Sequence, residues 1–167
     1  KGVGNWDIMA SGNWNGQGIW PALPTAASME LLDVDRFEEL TPSWPQSSGD
    51  CYGPNKALMQ MAAGGSAIRI EIDEGEYVWI ELRGGSGFDN HLPGEGVLLL
   101  IQDITSGDIG ENEVNSHPDN PWLAVIEADG RDDLLAGVGK GELSDLFQDG
   151  DVFGSDGELI YNRDGIL

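Results

Sequence analysis

Only one cysteine, two histidines and eight lysine or arginine residues occur among 167 positions. A single cysteine, Cys51, closes no internal disulfide, so the fold must hold without covalent staples. No histidine lies near Cys51 in sequence, and Gly49-Asp50-Cys51-Tyr52-Gly53-Pro54 reads as a turn, which argues against a thiol nucleophile. His91 and His117 stand far apart, so neither belongs to a pair spaced one helical turn apart to grip a metal. Thirty acidic residues outweigh the few basic ones and leave a formal charge of −22. That balance excludes nucleic-acid binding by phosphate neutralisation and repels anionic membrane surfaces. No apolar run approaches the ~20 residues that span a bilayer, and the longest, Val97 to Ile101, fits a buried strand. Lys1 is not a natural start and no signal peptide is present, so the chain is expected to be a processed or trimmed product.

What the chain does have is enough apolar content, 40%, to build one core, and a length that suits one domain over residues 1–167. Its charge is uneven. Residues 101–167 hold sixteen acidic residues against three basic ones, a net of −13. A solvated acidic face is one reading. Calcium is the other, because clustered carboxylates repel one another unless a hard cation sits among them. The nearest approaches to calcium spacing are Asp149 and Asp151 with Asp156 and Glu158, and a second group of Asp108, Glu111 and Glu113. Neither has the full alternation of an EF-hand loop.

Along the chain, the stretch from Pro21 to Leu32 favours a short amphipathic helix of about ten residues, started at Thr25 or an earlier proline. Residues 41–56 are a loop rich in proline, glycine and serine. Beyond them the pattern turns to β. Ala57 to Ala62 is a strand candidate, and Ile68-Arg69-Ile70-Glu71-Ile72 alternates cleanly. Asp73 to Glu76 reads as a hairpin turn into Tyr77 to Leu82, whose apolar residues on both faces suit a central strand. Val97–Ile101 and Trp122–Ile126 are further strands, separated by a long polar segment over 105–121. The prediction is an α+β fold, mainly β: a turn-rich opening and short helix over 1–40, a mostly antiparallel or mixed sheet with long loops over 57–150, and a tail over 151–167. Ile68, Ile70 or Val78, Ile80, Leu98, Leu100 and Val125 are the expected core of that sheet.

The opening stretch is unusual in composition. Gly4-Asn5-Trp6-Asp7-Ile8-Met9-Ala10-Ser11-Gly12-Asn13-Trp14-Asn15-Gly16 is rich in turn-formers, yet it carries Trp6, Ile8, Met9 and Trp14. Composition alone reads as a loop plugging the edge of a core. The stretch also resembles the Met-turn segment of immune inhibitor A-type zinc metallopeptidases, which are secreted bacterial proteases. Four later blocks, in the same order, are similar to segments of that family. They are Glu76-Tyr77-Val78-Trp79-Ile80-Glu81-Leu82-Arg83; Gly87-Phe88-Asp89 with Leu92-Pro93-Gly94-Glu95-Gly96-Val97-Leu98-Leu99; Leu123-Ala124-Val125-Ile126-Glu127-Ala128-Asp129-Gly130; and Asp145-Leu146-Phe147. The similarity runs over roughly residues 4 to 150.

The resemblance implies that Met9, with Trp6 and Asp7, forms the floor of a zinc site, shaping and drying it without binding the metal. Trp6 and Trp14 would support the turn from within. In the family a His-Glu-x-x-His helix supplies two zinc ligands and the general base, and zinc-bound water attacks the peptide carbonyl. That motif is absent from this chain. The resemblance therefore implies a part of a secreted endopeptidase that follows its catalytic helix. Its partners would be an N-terminal catalytic portion of the same protease and, for the complete zinc enzyme, protein or peptide substrates. The chain alone is expected to be inactive. It also departs from the family pattern at Leu82, in place of an asparagine, and at Gln102, in place of a histidine. Glu81, if it points inward, needs Arg83 or loop backbone as a partner.

A second reading belongs to another class: a calcium-stabilised β module that binds carbohydrate or cell-surface ligands through some of its six tryptophans. That reading requires exposed indoles. The peptidase reading requires Trp6 and Trp14 to be buried.

Overall fold

A computed structural model describes residues 2–41, 55–111, 113–116, 119–153 and 160. Its centre is a mixed five-stranded sheet with the strands in sequence order. These are β1 (Phe37–Glu39), β2 (Ala67–Asp73), β3 (Glu76–Arg83), β4 (Gly96–Asp103) and β5 (Leu123–Ile126). β1 runs parallel to β2, and every other neighbour is antiparallel. The four longer strands follow the alternating and continuous apolar runs of the sequence, and β3 is central. Among the described residues no helix is long and apolar enough to cross a membrane.

β3 decides what the sheet carries. Trp79, Glu81 and Arg83 are fully buried on one face, paired across β4 with Leu100, Leu98 and Gly96. The expected core therefore holds for Ile68, Val78, Leu98, Leu100 and Val125, while Ile70 and Ile80 are only half-buried, on the face opposite Trp79. Because β-strand side chains alternate, the face that buries Trp79 must also bury Glu81 and Arg83. Two ionisable side chains thus enter the core with the tryptophan.

α1 spans only Ala26–Glu30, half the predicted length. The Thr25 hydroxyl caps it by accepting from the Ser28 N–H, and a turn ends it, with Val34 N–H bonding to the Met29 carbonyl and Asp33 at φ +57°. Ala26, Ala27 and Met29 pack on the sheet, whereas Leu31 and Leu32 are exposed. Ala57 to Ala62 is not a strand. Gly64 and Gly65 fold back there, donating to the carbonyls of Met61 and Gln60 and leaving a short 3₁₀ turn over Met61–Ala63. α2 (Asp133–Ala136) follows β5, with Glu127 accepting from the backbone N–H groups of Asp133 and Leu134.

Candidate functional site

The turn bearing Met9 is built on Asp7. The Asp7 carbonyl accepts from Ala10 N–H and Gly12 N–H, which closes a tight reversal over residues 7–10. Its carboxylate is saturated as well. Oδ1 accepts from Met9 N–H at 2.8 Å, while Oδ2 accepts from Thr25 N–H at 3.1 Å, Thr25 Oγ1 at 2.6 Å and Ser28 Oγ at 2.6 Å. One buried aspartate therefore fixes the turn and ties it to the start of α1.

Arg83 holds the turn from below. Its Nη1 donates to the Trp6 carbonyl at 2.8 Å, and its Nη2 to the Leu23 carbonyl at 3.0 Å. Nε and Nη2 also grip Asp89 as a two-pronged pair at 2.8 and 2.9 Å, and Asp89 Oδ1 accepts from Leu23 N–H as well. Glu81 is the third carboxylate of the group. It points inward and finds both of the partners its position requires, Arg83 Nη1 at 3.3 Å and Ala26 N–H at 3.2 Å. Burial pushes the Glu81 carboxyl up to about 7, against the opposing pull of Arg83 and Ala26 N–H, with Asp7 and Asp89 adding to the rise.

Trp6 closes the assembly on its other side. The indole is fully buried, and its Nε1 donates to Asp145 at 3.0 Å. Gly141 leaves room for it: a side chain there would begin 2.9 Å from Nε1. Above this framework Met9 is exposed, at 74%. Residues 8–29 contain no charged side chain, in a chain of net charge −22. The turn therefore presents an exposed thioether on a segment that itself carries no charge, backed by a buried ionic frame.

The sequence-predicted floor residues thus divide. Trp6 and Asp7 lie beneath the turn and Met9 at its exposed tip. Trp14 departs from expectation, being 70% exposed. The chain passes through Gly16, Gln17 and Gly18, all at positive φ, and Trp14 lies along Gly18 instead of entering the core. Trp20, 45% exposed, leans against Gly16 and stacks on His91 with ring centroids 5.8 Å apart. Gln102, which replaces the histidine of the resembled pattern, is buried and accepts from Trp79 Nε1 at 2.8 Å. Its role is structural.

Of the first predicted calcium group, only Asp149 and Asp151 lie among the described residues. Asp149 and Asp151 are exposed, Asp151 accepts from Gln148 N–H, and Asp156 and Glu158 lie outside the described residues, as do His117 and Cys51. Asp108 forms a local turn with Gly110 and Glu111. Among the described residues, Asp129, Glu142 and Asp145 form a group that could hold a metal ion, with one oxygen of each within 4.8 Å of the others. Sequence spacing gave no sign of that group, because it joins the segment after β5 to a turn thirteen residues on. Arg131 already supplies counter-charge, 2.6 Å from Asp129 and 3.2 Å from Glu142. Asp145 is raised by burial, against hydrogen bonds from Glu142 N–H and Trp6.

Comparison with models of known protein families, with curated proteins and with solved structures gives no match.

Proposed function

We propose that this chain is the part of a secreted zinc-dependent endopeptidase that follows its catalytic helix, and that the Met9 turn is the floor against which that helix rests. One observation carries the reading. Residues of four separate segments that resemble the peptidase family, Trp6, Glu81 and Arg83, Asp89, and Asp145, are buried and bonded to one another, and the buried Asp7 next to Trp6 fixes the turn that exposes Met9. A frame of this kind costs desolvation of several charges, and it holds one short turn in one position. An exposed thioether on an uncharged segment suits a covering apolar element that must sit close without a charge beside it.

On this reading zinc, its two histidine ligands and the glutamate base all come from the preceding portion of the polypeptide. When bound, the metal would supply an activated water and polarise the scissile carbonyl. This chain's own part is to hold Met9, exclude water beneath the ligands and form one wall of the cleft. The test is the reading frame immediately upstream of the codon for Lys1. A His-Glu-x-x-His motif within a few tens of residues supports the proposal, and a frame without one overturns it.

The carbohydrate-binding reading is favoured by a different observation: Trp14, which the peptidase reading required to be buried, is exposed, as is Trp20, on an uncharged loop. Titration of the chain with neutral hexasaccharides decides it. Quenching of indole fluorescence that is lost in Trp14→Ala would support the module, and an unchanged spectrum would eliminate it. Calcium is retained as a proposed stabilising ion under either reading.

A further inference from the structure

Glu81 and Asp89 pair directly with the Arg83 guanidinium, and Asp7 lies close enough for its charge to act on both Arg83 and Glu81, with every member almost wholly removed from water. The three carboxylates come from different elements: the Met9 turn, β3 and the 3₁₀ turn over Gly87–His91. The other surfaces around Glu81 bring no further charge. α1 contributes Ala26 N–H, Thr25 and Ser28, and β4 sets Leu98 opposite. If all three carboxylates were ionised, the buried group would carry two uncompensated negative charges, and like charges at such range do not all ionise in low dielectric.

The hydrogen bonds identify which carboxylate keeps a proton. Asp7 accepts four bonds and Asp89 accepts three, two of them from Arg83. Glu81 accepts only two, both long at 3.2 and 3.3 Å. Stabilisation of the anion is therefore weakest at Glu81, the same residue that burial pushes up to about 7.

We propose that Glu81 is a proton-operated latch on the Met9 turn: protonated, it keeps the turn, the start of α1 and β3 closed on one another, and its ionisation favours opening of that joint. The step is a simple proton exchange with solvent. Opening lets water reach the carboxyl, which loses its proton to buffer, and closure takes one back. Closed, the group holds its proton to about pH 7. Open, it behaves as an ordinary glutamate, near pH 4.5. The opening equilibrium therefore grows with pH between those values, up to tenfold per unit, and levels off above about 7. This deepens the peptidase reading only in that the latched turn is the proposed zinc floor. The cluster and its test need neither metal nor upstream segment, so the latch and the peptidase assignment fail separately.

The test is amide hydrogen exchange of the 167-residue chain between pH 5 and 8.5, corrected for intrinsic exchange rates. Expected is loss of protection at Ala26, Thr25 and Met9, approaching tenfold per unit up to about pH 7 and flat beyond, with Leu100 and Val125 changing less. Glu81→Gln, which carries no ionisable proton, should flatten the profile. Should that variant fail to fold, carboxyl ¹³C titration of the unsubstituted chain decides: one glutamate titrating near 7 supports the latch. Protection at Ala26 that is independent of pH, or a Glu81 carboxyl that titrates with the exposed glutamates, overturns it.

Discussion

Arg83 and Asp89 meet as a two-pronged ion pair with no exposure to solvent, and the same guanidinium holds the carbonyl of Trp6 at 2.8 Å. The pair joins β3 and the following 3₁₀ turn to the backbone that carries Met9. Replacing Asp89 by alanine leaves a buried guanidinium whose remaining direct ion-pair partner is Glu81, which at low pH carries no charge. The expected cost is about 3–5 kcal/mol in urea unfolding, as for other broken buried pairs. A loss below about 1 kcal/mol would mean that water reaches Arg83.

Asp7 tests the turn itself. Asp7→Ala removes four accepted hydrogen bonds and strands the Met9 and Thr25 N–H groups. Stability should fall by roughly 3 kcal/mol, since buried donors left unmade cost about 1–3 kcal/mol each and some will find water. Met9→Ala, at an exposed tip, should stay within about 0.5 kcal/mol. Equal effects of the two variants would contradict the division between frame and tip.

Global stability should depend on pH with a definite sign. Glu81 has a raised folded-state pKa, about 7 against an unfolded 4.5. The folded chain therefore holds a proton that the unfolded chain has lost, and this group's contribution falls as pH rises through that window. The shift corresponds to roughly 3 kcal/mol at about 1.4 kcal/mol per unit, complete by about pH 7. Denaturant midpoints from pH 5 to 8 check it, with Glu81→Gln as the control. A Glu81→Gln midpoint that falls as steeply as that of the unsubstituted chain would remove Glu81 as the cause.

Calcium is tested against the acidic groups separately. Millimolar calcium should raise the melting temperature beyond sodium chloride at matched ionic strength, because specific binding to the folded state adds to screening. Arg131→Ala, which withdraws the guanidinium from Asp129 and Glu142, should enlarge that difference. Asp149→Asn with Asp151→Asn should leave it unchanged if the ion sits among Asp129, Glu142 and Asp145. Identical melting in the two salts would leave the acidic face simply solvated.

Much of the sheet was legible from the sequence, because Ile68–Ile72, Tyr77–Leu82 and Val97–Ile101 carry their periodicity locally. β1 was not. It is three residues, Phe37-Glu38-Glu39, whose strand character comes from parallel pairing with β2 and from Phe37 set edge-on to Trp79 at 5.1 Å. The helix was over-extended because Leu31 and Leu32 look like a continued apolar stripe, while the turn at Asp33 sends them outward. The position of Glu81 and Arg83 late in an apolar strand suits an exposed pair as well as an inward one, and it is the alternation burying Trp79 that turns both inward. The frame around them was not legible, since Asp7 bonds residues 18 and 21 positions away and Trp6 bonds Asp145 across 139. No local pattern encodes contacts of that range.

The most direct measurement is made on the polypeptide that includes the reading frame upstream of Lys1: its zinc content together with its hydrolysis of casein. The proposed function predicts about one zinc per chain, cleavage abolished by a chelator and restored by zinc, and no cleavage by residues 1–167 alone. A longer polypeptide that binds no zinc, or chelator-sensitive cleavage by the 167-residue chain itself, would contradict it.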